Sequence, residues 1–255
     1  MKFPLITAHS GCEQTLRDSM ESVERAIALG ADAVEMDIRR AADGTLYVSH
    51  DRRYGEAVRE KATLETVVCR IQNTGLKINC DIKEPFAVCG TLDMAERFGL
   101  GPDKLILSGA VSPELLVMEP SITERTSVFL NIEEVLKFLY MGRLYAEQDE
   151  EHFALLMADA KPFVLEMLKE ECCIAAMIRL MKVLNVHTLN MPHGILTAGL
   201  AKMLRAEGIT CSVWTVNEET DLNRCLELGV SNITTLAVRT AMECRKAHQQ
   251  KSVCM

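Results

Sequence analysis

Eight short apolar, β-branched runs alternate with longer amphipathic stretches along this chain, and no other feature limits its fold as strongly. The runs cover 5–8, 33–38, 76–82, 104–107, 126–130, 186–189, 210–215 and 232–235. Helical patterns fall between them at 19–29, 63–72, 92–98, 113–118, 195–207 and 218–228, with a longer one over 132–184. Strands that alternate with helices imply parallel strands joined by crossover helices. Eight repeats favour a closed α/β barrel, the (β/α)8 or TIM barrel, over an open sheet, and 255 residues is an ordinary length for one. Residues 1–245 read as a single barrel domain, and 246–255 as a polar C-terminal tail expected to fray.

Two segments depart from a minimal barrel. After the second strand, Ala42-Asp43-Gly44 signals a hairpin turn into a strand-like run at 46–49, so a short insertion is expected there rather than a ninth barrel strand. Before the sixth strand, 132–184 is too long for one crossover and reads as extra helices carrying Met141, Met157, Met167, Met177 and Met181. Methionine mostly fills cores, which favours packing here over a lid or a homo-oligomer contact.

Composition excludes several classes. A net charge of −8 with no basic stripe argues against nucleic-acid binding. The N-terminus carries a single Lys and too short an apolar run for a signal peptide, and no segment reaches the length of a transmembrane helix, so a cytoplasmic location is expected. The ten cysteines form no C-x-x-C pair and read as buried, reduced thiols.

Barrel chemistry collects where strands end. His9 follows the first strand, Glu35 and Asp37 lie near the end of the second, His50 follows the hairpin, and Asp81 and Lys83 end the third. Side chains two apart on a strand share a face, so Glu35 and Asp37 can reach one ion, and Asp81 supplies a third hard oxygen ligand suited to Ca²⁺ or Mg²⁺. Alone, such a pair is more often a salt-bridged or solvated feature. Two histidines near a metal suit acid–base chemistry, although either by itself would usually be structural. Asp51 is placed either to orient His50 or to cap the next segment. Lys83 is placed to steady a phosphate oxygen or simply to pair with Asp81. Trp214, the only tryptophan, reads more readily as barrel rim than as a substrate platform. Arg52-Arg53 reads as a solvated face.

In chain order these weak signals combine. Ala8-His9-Ser10-Gly11, Leu29-Gly30-Ala31-Asp32, Glu35-Met36-Asp37, Asp43-Gly44, His50-Asp51, Asp81-Ile82-Lys83 and Trp214-Thr215-Val216-Asn217 resemble the glycerophosphodiester phosphodiesterase family. The resemblance runs from about residue 6 to 240 and is weakest across 132–184. It implies a (β/α)8 barrel with an insertion after the second strand, shorter here than is usual for the family. It also implies metal ligation by Glu35, Asp37 and Asp81, acid–base catalysis by His9 and His50, and substrate binding by Lys83 and Trp214. The implied reaction is hydrolysis of a small phosphodiester to an alcohol and glycerol 3-phosphate.

Three positions depart from the family pattern. Ser10 stands where Arg is usual, Arg17 where Glu is usual, and Asp81 where the third ligand is normally Glu. The competing expectations are therefore a phosphodiesterase of shifted specificity, for instance toward lysophospholipid-like substrates, and a non-catalytic binding barrel.

Overall fold

The computed structural model describes residues 3–147 and 167–253. Eight parallel strands close into a barrel: β1 (Leu5–Ala8), β2 (Ala33–Arg40), β4 (Lys77–Ile82), β5 (Leu105–Gly109), β6 (Ser127–Asn131), β7 (Thr188–Pro192), β8 (Thr210–Trp214) and β9 (Asn232–Thr235). Closure comes from β1, which pairs with β9 on one side and β2 on the other. The expected fold class is thus the observed one.

The insertion after the second barrel strand is a hairpin. β2 runs two residues beyond its expected end, and β3 (Leu46–Val48) pairs antiparallel with that extension. Gly44 takes φ 92 in the turn, and the Asp43 carboxylate accepts the Thr45 N–H at 2.9 Å. The Asp-Gly step supplies both the left-handed glycine and the carboxylate that such a turn uses.

Helix ends follow local chemistry. Ser19 caps α1 (Met20–Leu29) by accepting the Ser22 N–H, and Gly30 closes it in the left-handed conformation. Thr63 caps α3 (Leu64–Ile71), which follows the short α2 (Glu56–Arg59). Along β2 and β4, Val34, Met36, Ile38, Ile78, Cys80 and Ile82 are buried and of one parity; with Val23, Ala26, Val67 and Ile71 of the helices they belong to a single apolar core. The opposite parity faces the barrel interior, which includes a buried polar chain: Thr7 Oγ1 donates to Asn232 Oδ1 at 2.6 Å, and Asn232 Nδ2 to Ser212 Oγ at 3.0 Å.

Between β4 and β6 stand α4 (Val88–Arg97), α5 (Pro113–Met118) and α6 (Ile122–Arg125). Extra helices precede the sixth barrel strand as expected: α7 (Ile132–Glu147) and α8 (Glu171–Val183). Met177 and Met181 of α8 are fully buried and Met167 packs on the core, so the described methionines fill space. Met157 lies outside the described residues, as does the side chain of Met141.

The last crossovers are α9 (Ala198–Ala206) and α10 (Glu219–Leu228), followed by α11 (Val238–Val253). That final helix corrects the expectation of a fraying tail, since residues 246–253 are helical. Its root is held by buried Val238, Ala241 and Cys244, and Arg245 bonds the Asp32 carboxylate and the Pro4 carbonyl. Six of the nine described cysteines are buried and all nine are free; Cys69, Cys89 and Cys172 are exposed, against expectation. Burial pushes the Cys211 and Cys225 thiols up to about 11, which keeps them inert at neutral pH. Among the described residues no helix is long and apolar enough to cross a membrane.

Candidate active site

The C-terminal ends of the barrel strands open into a cavity of about 460 Å³. Its lining includes His9, Glu35, Asp37, His50, Asp81, Lys83 and Trp214, so the residues expected to act on metal or substrate all reach one space. The β2–β4 register explains the acidic cluster. Asp37 pairs with Asp81 across the two strands, and Glu35 lies one pleat below on the same face. Ligand oxygens of the three carboxylates come within 4.8 Å of one another, a group able to hold a metal ion.

Burial, then the charges of Asp37 and Asp81, push the Glu35 carboxyl well above the usual range. Its partners are the Ser10 N–H at 3.2 Å and, more distantly, His9 Nε2 at 3.9 Å. Lys83 Nζ bridges Asp37 Oδ1 at 2.6 Å and Asp81 Oδ2 at 2.5 Å. Burial works against its charge, but Asp81 and Asp37 outweigh it and hold the ammonium above its ordinary value. Arg17 reaches Asp37 from the other side, with Nη2 3.2 Å from Oδ2.

The two histidines are held differently. His9 Nδ1 lies 2.9 Å from the Ser10 carbonyl. A carbonyl only accepts, so that contact places the proton on Nδ1 and leaves Nε2 as the nitrogen near Glu35. His50 Nδ1 lies 3.1 Å from Asp51 Oδ1, which favours the orienting reading of Asp51; the His50 contact holds that exposed carboxyl below its usual range. The main chain of His50 is fixed on both sides. Asp18 accepts its N–H at 2.8 Å, and Arg39 donates to its carbonyl at 3.0 and 2.6 Å.

Arg39 is in turn braced by buried Glu84, which also takes Arg52 Nη2 at 2.8 Å. Arg52 and Arg53 are exposed, as the solvated-face reading expected, and the Arg52 guanidinium also reaches inward to Glu84. Asp18 also accepts from Ser10 Oγ at 3.1 Å, so Ser10 ties the His9 loop to the His50 loop. Neither Asp18 nor Arg39 carried a recognisable signal. Asn79 and Ser108 did, faintly, since both share the inward parity of Asp81 and Ser108 donates to it at 2.9 Å. Asn131 and Asn190 also line the cavity and bond each other at 2.7 Å. Glu134 joins them from the first turn of α7, where burial pushes its carboxyl up. Asn217, by contrast, accepts the Leu236 N–H and braces a loop.

Gly109 makes the Asp81 position feasible. It sits opposite Ile82 with φ 78, and a Cβ there would lie 2.3 Å from the Ile82 carbonyl oxygen and 2.8 Å from Asp81 Oδ1. Gly109→Ala is expected to destabilise the fold by about 3 kcal/mol. Urea unfolding would measure it; a loss under about 0.5 kcal/mol would mean that the backbone yields there at little cost.

Residues 9–62, which carry both histidines and two of the three carboxylates, match the glycerophosphoryl diester phosphodiesterase family. A glycerophosphodiester phosphodiesterase of Caldanaerobacter subterraneus is 23% identical over 237 residues, spanning 91% of this chain and 93% of the relative. The chain is thus similar to glycerophosphodiester phosphodiesterases over most of its length. Solved structures of similar fold include the Thermotoga maritima glycerophosphodiester phosphodiesterase, with a TM-score of 0.66, 20% identity and coverage of 95% of this chain and 99% of that one. Another is an Oleispira antarctica phosphodiesterase in complex with the product sn-glycerol-3-phosphate, with a TM-score of 0.70, 13% identity and coverage of 96% and 97%. The three positions that depart from the pattern of that family, Ser10, Arg17 and Asp81, are connected to one another. Ser10 and Arg17 are linked through Asp18, and Arg17 and Asp81 both meet the Asp37–Lys83 cluster.

Proposed function

We propose that this protein hydrolyses small glycerophosphodiesters to an alcohol and glycerol 3-phosphate, with His9 and His50 as the acid–base pair and a divalent cation on Glu35, Asp37 and Asp81. The observation that supports it is the convergence of two histidines, the three clustered carboxylates and two cationic side chains on one strand-end cavity. The cavity volume suits a small ligand. The product held by the Oleispira antarctica phosphodiesterase belongs to the product class proposed here.

The donor set fits a hard cation. Three oxygen donors cluster, two of them are buried, and their mutual repulsion is what a cation would relieve. Ca²⁺ and Mg²⁺ both meet that description. Once bound, such an ion would neutralise phosphate oxygens and stabilise charge developing at phosphorus.

The protein's own groups do the rest. His9, with Nδ1–H on the Ser10 carbonyl, presents Nε2 as the acceptor and serves as the base that deprotonates water, or else the neighbouring glycerol hydroxyl, in which case water opens the resulting cyclic phosphate in a second step. His50, with Asp51 beside Nδ1, is suited to hold a proton and pass it to the departing alkoxide. Lys83 and Trp214 border the substrate space, the first as a cation for a phosphate oxygen and the second as a wall.

A non-catalytic barrel is the second reading, favoured by one observation: Arg17 and Lys83 together already engage both oxygens of Asp37. Turnover separates the two. Purified protein with Mg²⁺ or Ca²⁺ is expected to release glycerol 3-phosphate from glycerophosphocholine. Cation binding with no turnover on a panel of glycerophosphodiesters, lysophospholipids and bis(p-nitrophenyl) phosphate would establish the second reading instead. Lysophospholipids as the best substrates would redirect the specificity.

A further inference from the structure

We propose that Arg17 exchanges partners within this site: it holds Asp37 in the free protein and turns to the phosphate of a bound monoanionic phosphodiester. The inference rests on the phosphodiesterase reading above for its substrate and on this chain's own geometry for everything else.

Two permanent cations line the cavity, and they are not equivalent. Lys83 is mostly buried and already bridges two carboxylates, at 2.6 and 2.5 Å. Arg17 makes a longer contact of 3.2 Å to Asp37 through one guanidinium nitrogen, and its side chain stays 47% exposed. A guanidinium has five donors in a planar fork that matches phosphate oxygens, so one contact leaves much of that fork available for a ligand.

The root of Arg17 is fixed while its tip is not. Asp18 beside it sits at φ 57, donates its N–H to Ser10 Oγ at 2.7 Å and accepts the His50 N–H at 2.8 Å. A Cβ on Gly11 would touch Arg17 Cα and Cβ at 3.5 Å, so the loop is closely packed at that point. The backbone is thus held between the loops that carry the two histidines, and only the long side chain has freedom to change partner.

Charge selects the ligand. When the three clustered carboxylates are all ionised, as cation binding requires, Lys83 and Arg17 leave them one negative charge in excess. A divalent cation would reverse that to one positive charge in excess. A phosphodiester carries one negative charge and completes the balance. Without Arg17 the loaded site would be neutral, with no net positive charge left to balance the diester. The same guanidinium, being close to Asp37, opposes entry of the divalent cation in the free protein.

Arg17→Gln and Arg17→Lys test this by two affinities that need no turnover. Calorimetry with Mg²⁺ alone is expected to show about fivefold tighter binding in Arg17→Gln, because one opposing charge at a half-exposed position is gone. Glycerol 3-phosphate added to the Mg²⁺-loaded protein is expected to bind about tenfold more weakly in the same variant, and KM for glycerophosphocholine to rise more than kcat falls. Arg17→Lys should keep the Mg²⁺ affinity of the parent and recover part of the anion affinity. Unchanged affinities in Arg17→Gln, or weaker Mg²⁺ binding there, would overturn the proposal. If the parent turns over no phosphodiester, the hydrolase reading falls and Arg17 is judged on the two affinities alone.

Discussion

Replacing His50 by alanine is expected to slow glycerophosphocholine hydrolysis by roughly 10²–10⁴-fold and to slow bis(p-nitrophenyl) phosphate hydrolysis far less. The alkoxide leaving glycerophosphocholine is a strong base and needs a proton as the bond breaks. A nitrophenolate leaves as a stabilised anion and needs little help. His50, with the Asp51 carboxylate 3.1 Å from Nδ1, is the group suited to hold that proton. His9→Ala should instead cost a similar, large factor on both substrates, because a base that prepares the nucleophile is needed whichever group departs. The paired kcat values on the two substrates decide the matter. A leaving-group effect that follows His9 would reverse the roles, and losses under about tenfold for both variants would remove acid–base catalysis by these residues.

Glu35→Gln is expected to abolish cation-dependent turnover and, at the same time, to stabilise the cation-free protein at neutral pH. The Glu35 carboxyl is raised because it is buried and faces Asp37 and Asp81, so the fold prefers its protonated form. The sign follows directly. The unfolded chain releases this proton near the ordinary carboxylate pKa of about 4.3, while the folded protein keeps it to higher pH. Glu35 therefore removes stability as pH rises from that value through its raised folded-state pKa, and glutamine removes none.

Gain of about 1 kcal/mol would move the melting temperature of a chain this size by about 3 °C. The parent is expected to gain about 2.7 kcal/mol at a cation concentration a hundredfold above its Kd, and Glu35→Gln to lose most of that shift. Melting curves across pH 4–8, with and without Mg²⁺, carry both readouts. An equal Mg²⁺ shift in the two proteins would exclude Glu35 as a ligand.

Much of the barrel was legible because its signals are local. Both terminal barrel strands, at 5–8 and 232–235, keep the ends read from their apolar runs. Ser19 and Thr63 cap helices where a hydroxyl precedes an apolar period, and Asp43-Gly44 turns the hairpin for reasons contained in those two residues. The α11 helix was missed for the opposite reason. Its sequence is polar on most sides, and it is anchored by a few apolar residues near its start and by Arg245 reaching across to Pro4 and Asp32.

The site divides along the same line. That Glu35 and Asp37 share a face is a property of any strand, and His9, His50 and Lys83 could be placed at strand ends by counting alone. The family resemblance was carried by that order of residues. Only the tertiary structure decided that Asp37 stands beside Asp81, because strand register belongs to a pair of strands and not to either one. Likewise, the contacts of Asp18 and Arg39 with His50, the fit of Gly109 against Ile82, and the Arg17–Asp37 pair join residues far apart in sequence or on different loops. Periodicity reports which face a side chain occupies; which partner it meets there depends on how the barrel closes.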